Sequence, residues 1–254
     1  MTEHNLIGHS AAFTRVLNAA RMVAPTDATV LICGETGTGK ATLAREIHGC
    51  STRRLRPLLT LACATLPVDL FELGPDTEQG AALRGAAGGT LFLDEVADLG
   101  PGAQVALLRY LETGAVGPCA KEPLSLRVVA ATATDLAARV GEGAFRSDLF
   151  HRLNVVLLEV PSLRERVEDL PLLLKHYARA FARDLGRVHG IDASLGFRES
   201  KPGERVEIVV QAVGPRLDAA GLVDLDLVVG VLRAGPHEPH RLAALGGEPD
   251  LLRA

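Results

Sequence analysis

The chain has 254 residues, of which 47% are hydrophobic and 23% are charged, and its formal net charge is −4 at pH 7. This length suits one large domain, or one domain with an appendage. The net negative charge does not indicate nucleic acid or an anionic membrane as a partner. No apolar run reaches the ~18 residues of a membrane span, and the polar start MTEHNLIGHS lacks the pattern of a signal peptide, so we expect a cytoplasmic protein.

Residues up to about 186 alternate between short apolar runs and amphipathic stretches. Ser10 can cap a helix that runs to about Met22. The β-branched run ATVLIC (28–33) predicts a buried strand, and residues 39–49 predict the helix that follows it. Helical periodicity fills the gaps between the apolar runs and is clearest at residues 103–112. Further strands are predicted at LLTLAC (58–63), GTLFLDE (89–95), LRVVAAT (126–132) and NVVLLEV (154–160). Such alternation is typical of an open, mostly parallel sheet with helices on both faces.

The pattern of apolar and polar residues changes after residue 186. Residues 161–186 predict a turn and an amphipathic helix that leaves the core. The remainder contains a strand-like run ERVEIVVQAVG (204–214), an apolar stretch (222–234) and a tail rich in Gly, Pro and His. We therefore expect two domains, residues 1–186 and a small α+β appendage at residues 187–254.

The cysteines are scattered along the chain and form no CxxC pair. This spacing predicts reduced cysteines that act as small apolar residues, as expected in the cytoplasm. The four residues are Cys33, Cys50, Cys63 and Cys119.

The stretch GETGTGKAT (34–42) lies between a predicted strand and a predicted helix, which is the context that a phosphate-binding loop requires. Glycines let successive backbone N–H groups turn towards phosphates, and the helix directs its positive end at them. Lys40 would reach the terminal phosphates as a point charge. The alternative is a glycine-rich turn that precedes a helix by chance. The nucleotide-binding candidates are Gly34, Glu35, Thr36, Gly37, Thr38, Gly39, Lys40, Ala41 and Thr42.

GTLFLDE places Asp94 and Glu95 at the carboxyl end of a predicted strand. Asp94 can hold Mg²⁺, directly or through water, and Glu95 can orient and deprotonate an attacking water. Ala41 stands where the generic loop carries a Mg²⁺-binding hydroxyl, so Asp94 would supply a protein group near the metal. The alternative is a strand that simply ends in two acidic residues. The ligands that these two motifs predict are ATP and Mg²⁺.

Together these stretches resemble the central AAA+ ATPase domain of the sigma-54-dependent transcription activators, the bacterial enhancer-binding proteins. The matching stretches run in family order from about residue 6 to 186: LIGHS, APTDATVLICGETGTGKATLAREIH, GGTLFLDEVADL, ALLRYLETG, LRVVAATATDL, FRSDLFHRLNVV and LRERVEDLPLLL. The resemblance implies an α/β P-loop AAA+ fold, a three-layer sandwich with a mostly parallel sheet. It also implies a homo-oligomer that regulates DNA-templated transcription, with RNA polymerase holoenzyme as a partner. In this family the residue after the loop lysine is typically Glu, so Ala41 departs less from the family than from the generic motif.

The resemblance also implies a role for two arginines. In the family, FRxDLxxRL carries arginines that reach the nucleotide of the neighbouring subunit, and the corresponding residues here are Arg146 and Arg152. A guanidinium supplied by another subunit neutralises charge that develops on the γ-phosphate, and makes hydrolysis depend on assembly. The alternative for Arg146 is a surface ion pair with Asp148.

Several features of the family are missing. The segment before GTLFLDE is shorter than usual and lacks the GAFTGA signature that contacts sigma-54 in the family. Ala62 replaces an Asn that gates the catalytic glutamate, and Ala133 replaces a sensor Asn near the γ-phosphate. The lid stretch WPGNVREL does not appear after residue 186, which predicts an incomplete helical lid. Because each loss removes a group that senses or transmits the state of the γ-phosphate, we do not expect remodelling of a sigma-54 holoenzyme, and ATP turnover stays open.

Residues 187–254 leave further alternatives. The run 204–233 weakly resembles the strand–turn–helix of 6-pyruvoyl-tetrahydropterin synthase-like proteins, without their zinc-binding HGH. His237 and His240 have no evident third ligand, which favours a solvated turn. We expect no sensory domain before the core and no helix-turn-helix for DNA. The alternative function is an ATP-gated interaction or assembly module with little hydrolysis, and the second alternative is a tail of pterin-synthase-like ancestry.

Overall fold

The computed structural model describes residues 6–66, 78–114, 124–173 and 175–177, and four strands between residues 192 and 245. Packing divides the chain into two units, Met1–Asp169 and Leu170–Ala254. The division into domains at residues 186 and 187 stays a prediction. Within the described residues, no helix combines the length and the apolar character that a membrane crossing requires.

The first unit is built on a five-stranded sheet with the order β2-β3-β4-β1-β5. All of its pairings are parallel. Its strands are β1 (Val30–Cys33), β2 (Leu58–Ala62), β3 (Thr90–Asp94), β4 (Arg127–Thr132) and β5 (Val156–Glu159). Because β4 lies between β1 and β3, the carboxyl ends of all three strands meet at one edge of the sheet, where the glycine-rich loop begins.

Helices cover both faces of this sheet. They are α1 (Ala11–Val23), α2 (Lys40–Gly49), α3 (Glu78–Gly85), α4 (Pro101–Thr113), α5 (Leu136–Gly141) and α6 (Ser147–Leu153). Successive strand residues point to opposite faces, so Leu91 and Leu93 join one buried cluster while Phe92 joins the other. The first cluster includes residues of α4 and α6, and the second includes residues of α1 and α2. The predicted three-layer α/β fold with a parallel sheet is confirmed.

The predicted elements of this unit are present with small shifts at their ends. Ser10 is the N-cap of α1, where its side chain accepts a hydrogen bond from the Phe13 N–H at 3.4 Å. Each of the five predicted strands contains an observed strand that is shorter by one or more residues. Short 3-10 turns that the sequence did not predict follow β2 and β3, at Cys63–Thr65 and Val96–Asp98. The 3-10 turn that follows β5, at Leu163–Asp169, lies in the stretch for which a turn was predicted.

Buried polar groups hold the amino end of the sheet. Arg127, only 2% exposed, donates to the backbone carbonyls of Val23 and Ala24 and thereby satisfies the carboxyl end of α1. His48 Nδ1 lies 2.9 Å from Thr90 Oγ1. Burial lowers the pKa of His48 below its ordinary value, and the positive charge of Arg127 adds to this effect.

The second unit contains a four-stranded antiparallel sheet with the order β6-β7-β8-β9. Its strands are β6 (Asp192–Arg198), β7 (Glu207–Val213), β8 (Val229–Arg233) and β9 (Ala243–Leu245). β7 and β8 lie within the predicted apolar runs, whereas β6 and β9 were not predicted. His237 and His240 lie outside the described residues, and the resemblance to the pterin family stays a prediction.

Candidate functional site

The glycine-rich loop begins at Gly34, directly after β1. The Gly34 N–H donates to the Thr132 carbonyl at 3.2 Å, and the Val160 N–H donates to the Cys33 carbonyl at 2.7 Å. A Cβ atom at Gly34 would lie 2.8 Å from the Val160 carbonyl oxygen. The chain therefore needs a glycine here, because the backbone that follows β5 approaches the loop too closely for a side chain.

The loop closes on itself before α2 begins. Thr38 donates to the Glu35 carbonyl twice, from its N–H at 3.2 Å and from its hydroxyl at 2.7 Å. Gly39, the N-cap of α2, has φ 98°, a left-handed conformation that glycine adopts without strain. This turn places the loop at the N-terminus of α2, where backbone N–H groups and the helix dipole favour an anion.

Lys40 is the first residue of α2, and its side chain is only 6% exposed. Its ammonium group donates to the Gly34 carbonyl at 2.9 Å and to the Glu35 carbonyl at 3.4 Å. Its third partner is Glu95, whose Oε1 lies 2.9 Å from Nζ. An ammonium group has three N–H donors, so the two loop carbonyls and the Glu95 carboxylate can together satisfy its hydrogen-bonding capacity.

Glu95 follows β3 and has φ 54°, the one left-handed conformation at a residue other than glycine within the described ranges. Its Oε2 accepts a hydrogen bond from the Ala133 N–H at 2.7 Å, while Oε1 contacts Lys40. The carboxylate therefore joins the ends of β3 and β4 to the loop. The sequence placed Glu95 near the loop but did not predict that both of its oxygens would already have partners. Backbone strain at such a position is typical of functional sites.

Asp94 is the last residue of β3, is half-buried, and pairs with Ala62 on β2. The pKa of the neighbouring Cys63 thiol is raised to about 12. The main cause is burial, and the second largest is the negative charge of Asp94. The thiol is therefore protonated at neutral pH. Where the structure places residues, no group of three or more His, Cys, Asp or Glu side chains could hold a metal ion by itself.

The remaining loop candidates line the start of α2 and the open side of the loop. Ala41 and Thr42 are half-buried in the first turn of α2, and Ala41 packs against the cluster that contains Phe92. Glu35, Thr36 and Gly37 are exposed. The loop is therefore exposed to solvent at residues 35–37 and buried at Thr38 and Lys40.

Of the two arginines from the family motif, Arg146 is the N-cap of α6 and Arg152 lies in its last turn, and both pair with carboxylates other than those of the loop. Arg146 donates to Asp148 through Nε at 3.0 Å and through Nη2 at 2.7 Å. Arg152 lies 3.6 Å from Glu112 of α4. The surface ion pair with Asp148, the alternative for Arg146, is therefore present in this single chain. A role at the nucleotide of another subunit stays a prediction for both arginines.

The 3-10 turn Leu163–Asp169 supports the loop, and sequence reasoning assigned no role to its residues. Arg164 Nη2 donates to both carboxylate oxygens of Glu35, at 2.9 and 3.0 Å. Arg166 Nη2 donates to the Thr38 carbonyl at 2.7 Å. The available signal was the stretch LRERVED, which matched the family motif without indicating what its charged residues contact.

Asp169, at the end of the same turn, binds the start of α1. Its fully buried carboxylate accepts hydrogen bonds from the His9 N–H at 2.7 Å, the Ser10 N–H at 2.8 Å and the Ser10 hydroxyl at 2.7 Å. Burial by itself raises the pKa of Asp169, but these hydrogen bonds outweigh it and hold the pKa below its ordinary value. The turn therefore connects α1 to the loop.

Residues 78–85, in the segment that lacks the GAFTGA signature, form α3. Residues 75–77 of that segment lie outside the described residues. The sequence predicted helical periodicity in the gaps between the apolar runs, and α3 lies in the gap between residues 63 and 89.

Comparison with known proteins identifies the region that contains this site. The model of the Sigma-54 interaction domain matches residues 6–159. Transcriptional regulatory protein ZraR of Salmonella typhimurium is 47% identical over 194 residues, which cover 71% of this chain and 44% of that protein. DNA-binding transcriptional activator HyfR of Escherichia coli is 45% identical over 203 residues, which cover 74% of this chain and 30% of that protein.

Solved structures give the same picture. NtrX from Brucella abortus in complex with ADP superposes with a TM-score of 0.67 at 36% identity, over 72% of this chain and 44% of that one. NtrX in complex with ATP superposes with a TM-score of 0.66, also at 36% identity, over 74% and 46% of the two chains. The chain spans less than half the length of these relatives.

Proposed function

The chain belongs to the Sigma-54 interaction domain family, and we propose that it binds ATP at residues 34–42 and acts in the regulation of DNA-templated transcription. The observation that carries this proposal is the buried Lys40 ammonium at the N-terminus of α2, directly beneath a glycine-rich loop. Relatives named as transcriptional regulators, and a structural relative solved with ATP and with ADP, support it.

A phosphate at this loop would compete with Glu95 for Lys40. Two of the three acceptors of Lys40 are loop carbonyls, at Gly34 and Glu35, and the third is the charged side chain of Glu95. A polyphosphate carries more negative charge than one carboxylate and also receives the loop N–H groups. We infer that the nucleotide displaces the Glu95 carboxylate from Lys40.

Asp94 fits Mg²⁺ as one carboxylate of a shared site. Mg²⁺ is usually held in such sites by one or two carboxylates together with phosphate oxygens and water, so a single half-buried Asp94 suits it without a larger acidic cluster. Ala41 offers no hydroxyl, so Asp94 is the side chain that we assign to the metal. When bound, the ion would neutralise charge on the phosphates.

Hydrolysis would require a second role for Glu95. Once released from Lys40, its carboxylate could accept a proton from a water whose oxygen attacks the γ-phosphorus, and the bond to the β-phosphate oxygen would break to give ADP and phosphate. Arg146 and Arg152 of a neighbouring copy would stabilise the charge that develops on the transferred group. We therefore propose a homo-oligomer as the active assembly.

A second candidate function, an ATP-gated assembly module with little hydrolysis, is favoured by the surroundings of Glu95. Both of its oxygens are engaged, by Lys40 and by the Ala133 N–H. Ala62 and Ala133 have no side-chain donor to hold the released carboxylate in a hydrolytic position. In this case ATP would stabilise an assembly, with RNA polymerase holoenzyme as the proposed partner and without conventional remodelling of sigma-54. We propose the cytoplasm as the location for either function.

Binding is tested by calorimetric titration of the full chain with MgATP. We expect saturable binding that Lys40→Ala abolishes, because the loop loses its central positive charge. The matched control is Lys175→Ala, which removes an exposed lysine of the second unit. If wild type does not bind, or if Lys40→Ala binds as wild type does, the proposal is wrong.

The two candidates are separated by steady-state ATP hydrolysis measured against protein concentration. Activity that rises more steeply than concentration, and that Arg146→Ala abolishes, supports an ATPase with arginines supplied by neighbouring copies. Activity at background in a protein that binds MgATP supports the assembly module. Arg54→Ala, which removes an exposed arginine after α2, controls for loss of surface charge.

A further inference from the structure

We propose that Arg166 is a positioning residue, which fixes the peptide between Thr38 and Gly39 so that the Gly39 N–H is directed at a bound phosphate. The inference rests on the proposed function, since it assumes that the loop binds a nucleotide. It assigns to the turn after β5 a role in binding, although this turn is distant in sequence from the loop.

The first observation is the burial and the hydrogen bond of Arg166. The residue is 4% exposed, and its Nη2 donates to the Thr38 carbonyl oxygen at 2.7 Å. Thr38 is also 4% exposed. A guanidinium stays charged in proteins, and a hydrogen bond from a charged donor in a buried place is shorter and stronger than a neutral one. This contact therefore restrains the loop more firmly than a surface interaction would.

The second observation is the geometry of the peptide group. A trans peptide is planar, so the C=O of Thr38 and the N–H of Gly39 point in opposite directions. Because Arg166 holds the carbonyl on its own side, the N–H must face away from Arg166. Gly39 is the N-cap of α2, and the first N–H groups of a helix have no partner within it. The Gly39 N–H is therefore one of the donors that an anion at this helix end would meet.

The third observation explains how a flexible side chain is held in place. The guanidinium carbon of Arg166 lies 4.5 Å from the centroid of the Phe13 ring. Cation–π contact with a buried ring fixes the plane of the guanidinium as well as its position. Phe13 belongs to the first turn of α1, and Asp169 binds the N-cap Ser10 of the same helix. One short turn thus holds both the arginine and the ring on which it packs.

The backbone of the turn is shaped for this contact. Arg166 has φ −135° and ψ 47°, which interrupts the 3-10 conformation of Leu163–Asp169. Arg164, two residues earlier, binds the Glu35 side chain, whereas Arg166 binds the Thr38 backbone. The two arginines therefore contact the exposed and the buried part of the loop, respectively, and only Arg166 fixes a peptide group.

The test compares ligands with and without phosphate. Wild type, Arg166→Met and Arg166→Lys are titrated with ADP and with adenosine by calorimetry, using the full chain. Arg166→Met keeps most of the aliphatic stem and removes the donors, and Arg166→Lys keeps the charge and one donor group. The matched control is Arg15→Met, which removes an exposed arginine that donates to the Ala11 carbonyl at 3.3 Å on α1.

We expect Arg166→Met to weaken ADP binding about tenfold, because one phosphate donor loses its orientation, while adenosine binding stays as in wild type. Arg166→Lys should restore part of the ADP affinity, and Arg15→Met should match wild type. A merely structural role for Arg166 would weaken ADP and adenosine together. If Arg166→Met does not fold, Arg166→Lys is compared with wild type instead, and it should bind ADP more weakly and adenosine equally well.

The inference is overturned if ADP binding is unchanged in Arg166→Met, or in Arg166→Lys where only that variant folds, or if both ligands weaken equally. This outcome differs from a failure of the proposed function, in which wild type itself does not bind ADP.

Discussion

The loop side and the hydrolytic side of the site are built differently. We define the loop side as residues 34–42 with the turn Leu163–Asp169, and the hydrolytic side as Asp94, Glu95, Arg146 and Arg152. On the loop side, Lys40, Arg166 and Asp169 are buried and bind partners from other parts of the chain, and Lys40 is only 6% exposed. On the hydrolytic side, Glu95 is 33% exposed and Arg146 is 47% exposed.

The difference follows from what each side has to do. An anion cradle works best when its donors are fixed in advance, and the fold of a single chain can fix them. Hydrolysis needs groups that exchange partners, and Arg146 and Arg152 would act on the nucleotide of another copy. Buried contacts should therefore tolerate little change, whereas exposed ion pairs on the hydrolytic side should contribute little to stability.

The largest expected effect comes from Asp169, which holds the turn of the loop side to α1. Asp169→Ala should lower the free energy of unfolding by about 3 kcal/mol, because the two buried donors of Ser10 and the partly buried N–H of His9 lose a charged acceptor. Urea unfolding measures this change. Ser10→Ala, which removes one of the donors and the N-cap of α1, should cost about 1 kcal/mol. Equal losses in the two variants would contradict the central position of Asp169.

Next in size is the effect of Glu95 on binding, which tests whether the two sides compete for Lys40. Glu95→Gln should strengthen ADP binding about tenfold, or ~1.4 kcal/mol, because phosphate no longer has to displace a carboxylate from a buried ammonium. ADP is used because it cannot be turned over by the proposed reaction, and calorimetry reads the dissociation constant.

The matched control for this change is Glu46→Gln, which neutralises a carboxylate that pairs with Arg21 and not with Lys40. It should leave ADP affinity as in wild type. Unchanged or weaker ADP binding in Glu95→Gln would show that the Lys40–Glu95 pair does not oppose the nucleotide.

A smaller effect is expected from pH, through the buried groups that hold the fold. The pKa of His48 is lower in the folded chain than in the unfolded chain. As the pH falls below ~6.5, His48 is therefore protonated in the unfolded chain before it is protonated in the folded chain. Stability should therefore decrease from pH 7 to pH 5. The lowered pKa of Asp169 predicts a further loss below ~3.9, as its carboxylate becomes protonated.

Thermal unfolding from pH 7 to pH 5 checks the contribution of His48. His48→Gln should flatten this part of the profile, since the variant retains a hydrogen-bonding group for Thr90 but cannot take up the proton. A profile as steep in His48→Gln as in wild type would assign the acid sensitivity to other groups.

The smallest effect on stability is predicted for the exposed pair Arg146–Asp148. Asp148→Asn should leave the urea midpoint unchanged, because both side chains are exposed and water screens their attraction. A clear loss of stability would mean that Arg146 is held for a structural purpose within its own chain, and would weaken its proposed action on a neighbouring nucleotide.

Much of the fold could be predicted from the sequence because its patterns are local. Apolar runs such as residues 28–33 and 89–95 correspond to the buried strands β1 and β3, and Ser10 caps α1 as its residue type indicates. The ends of strands shifted by a few residues, because hydrogen-bond pairing and not apolar character decides where a strand ends.

The contacts that define the site could not be predicted in the same way. The bonds of Glu95 to Lys40 and to the Ala133 N–H join positions far apart in sequence, and a backbone donor leaves no signature in the residue type. Likewise, LRERVED matched the family, but only the fold shows that Arg166 meets the Thr38 carbonyl and that Asp169 meets Ser10. Side-chain partners of this kind depend on tertiary packing.

The central claim is that one chain suffices for binding and that hydrolysis is not a property of the single chain. A single-turnover experiment, in which labelled ATP is mixed with excess protein, tests this claim directly. It is run at two protein concentrations, one at which light scattering finds only monomers and one that is higher. The account predicts that monomers retain the label and that it is recovered as ATP. Recovery of ADP from monomers as fast as from concentrated protein, or no retained label at all, would contradict it.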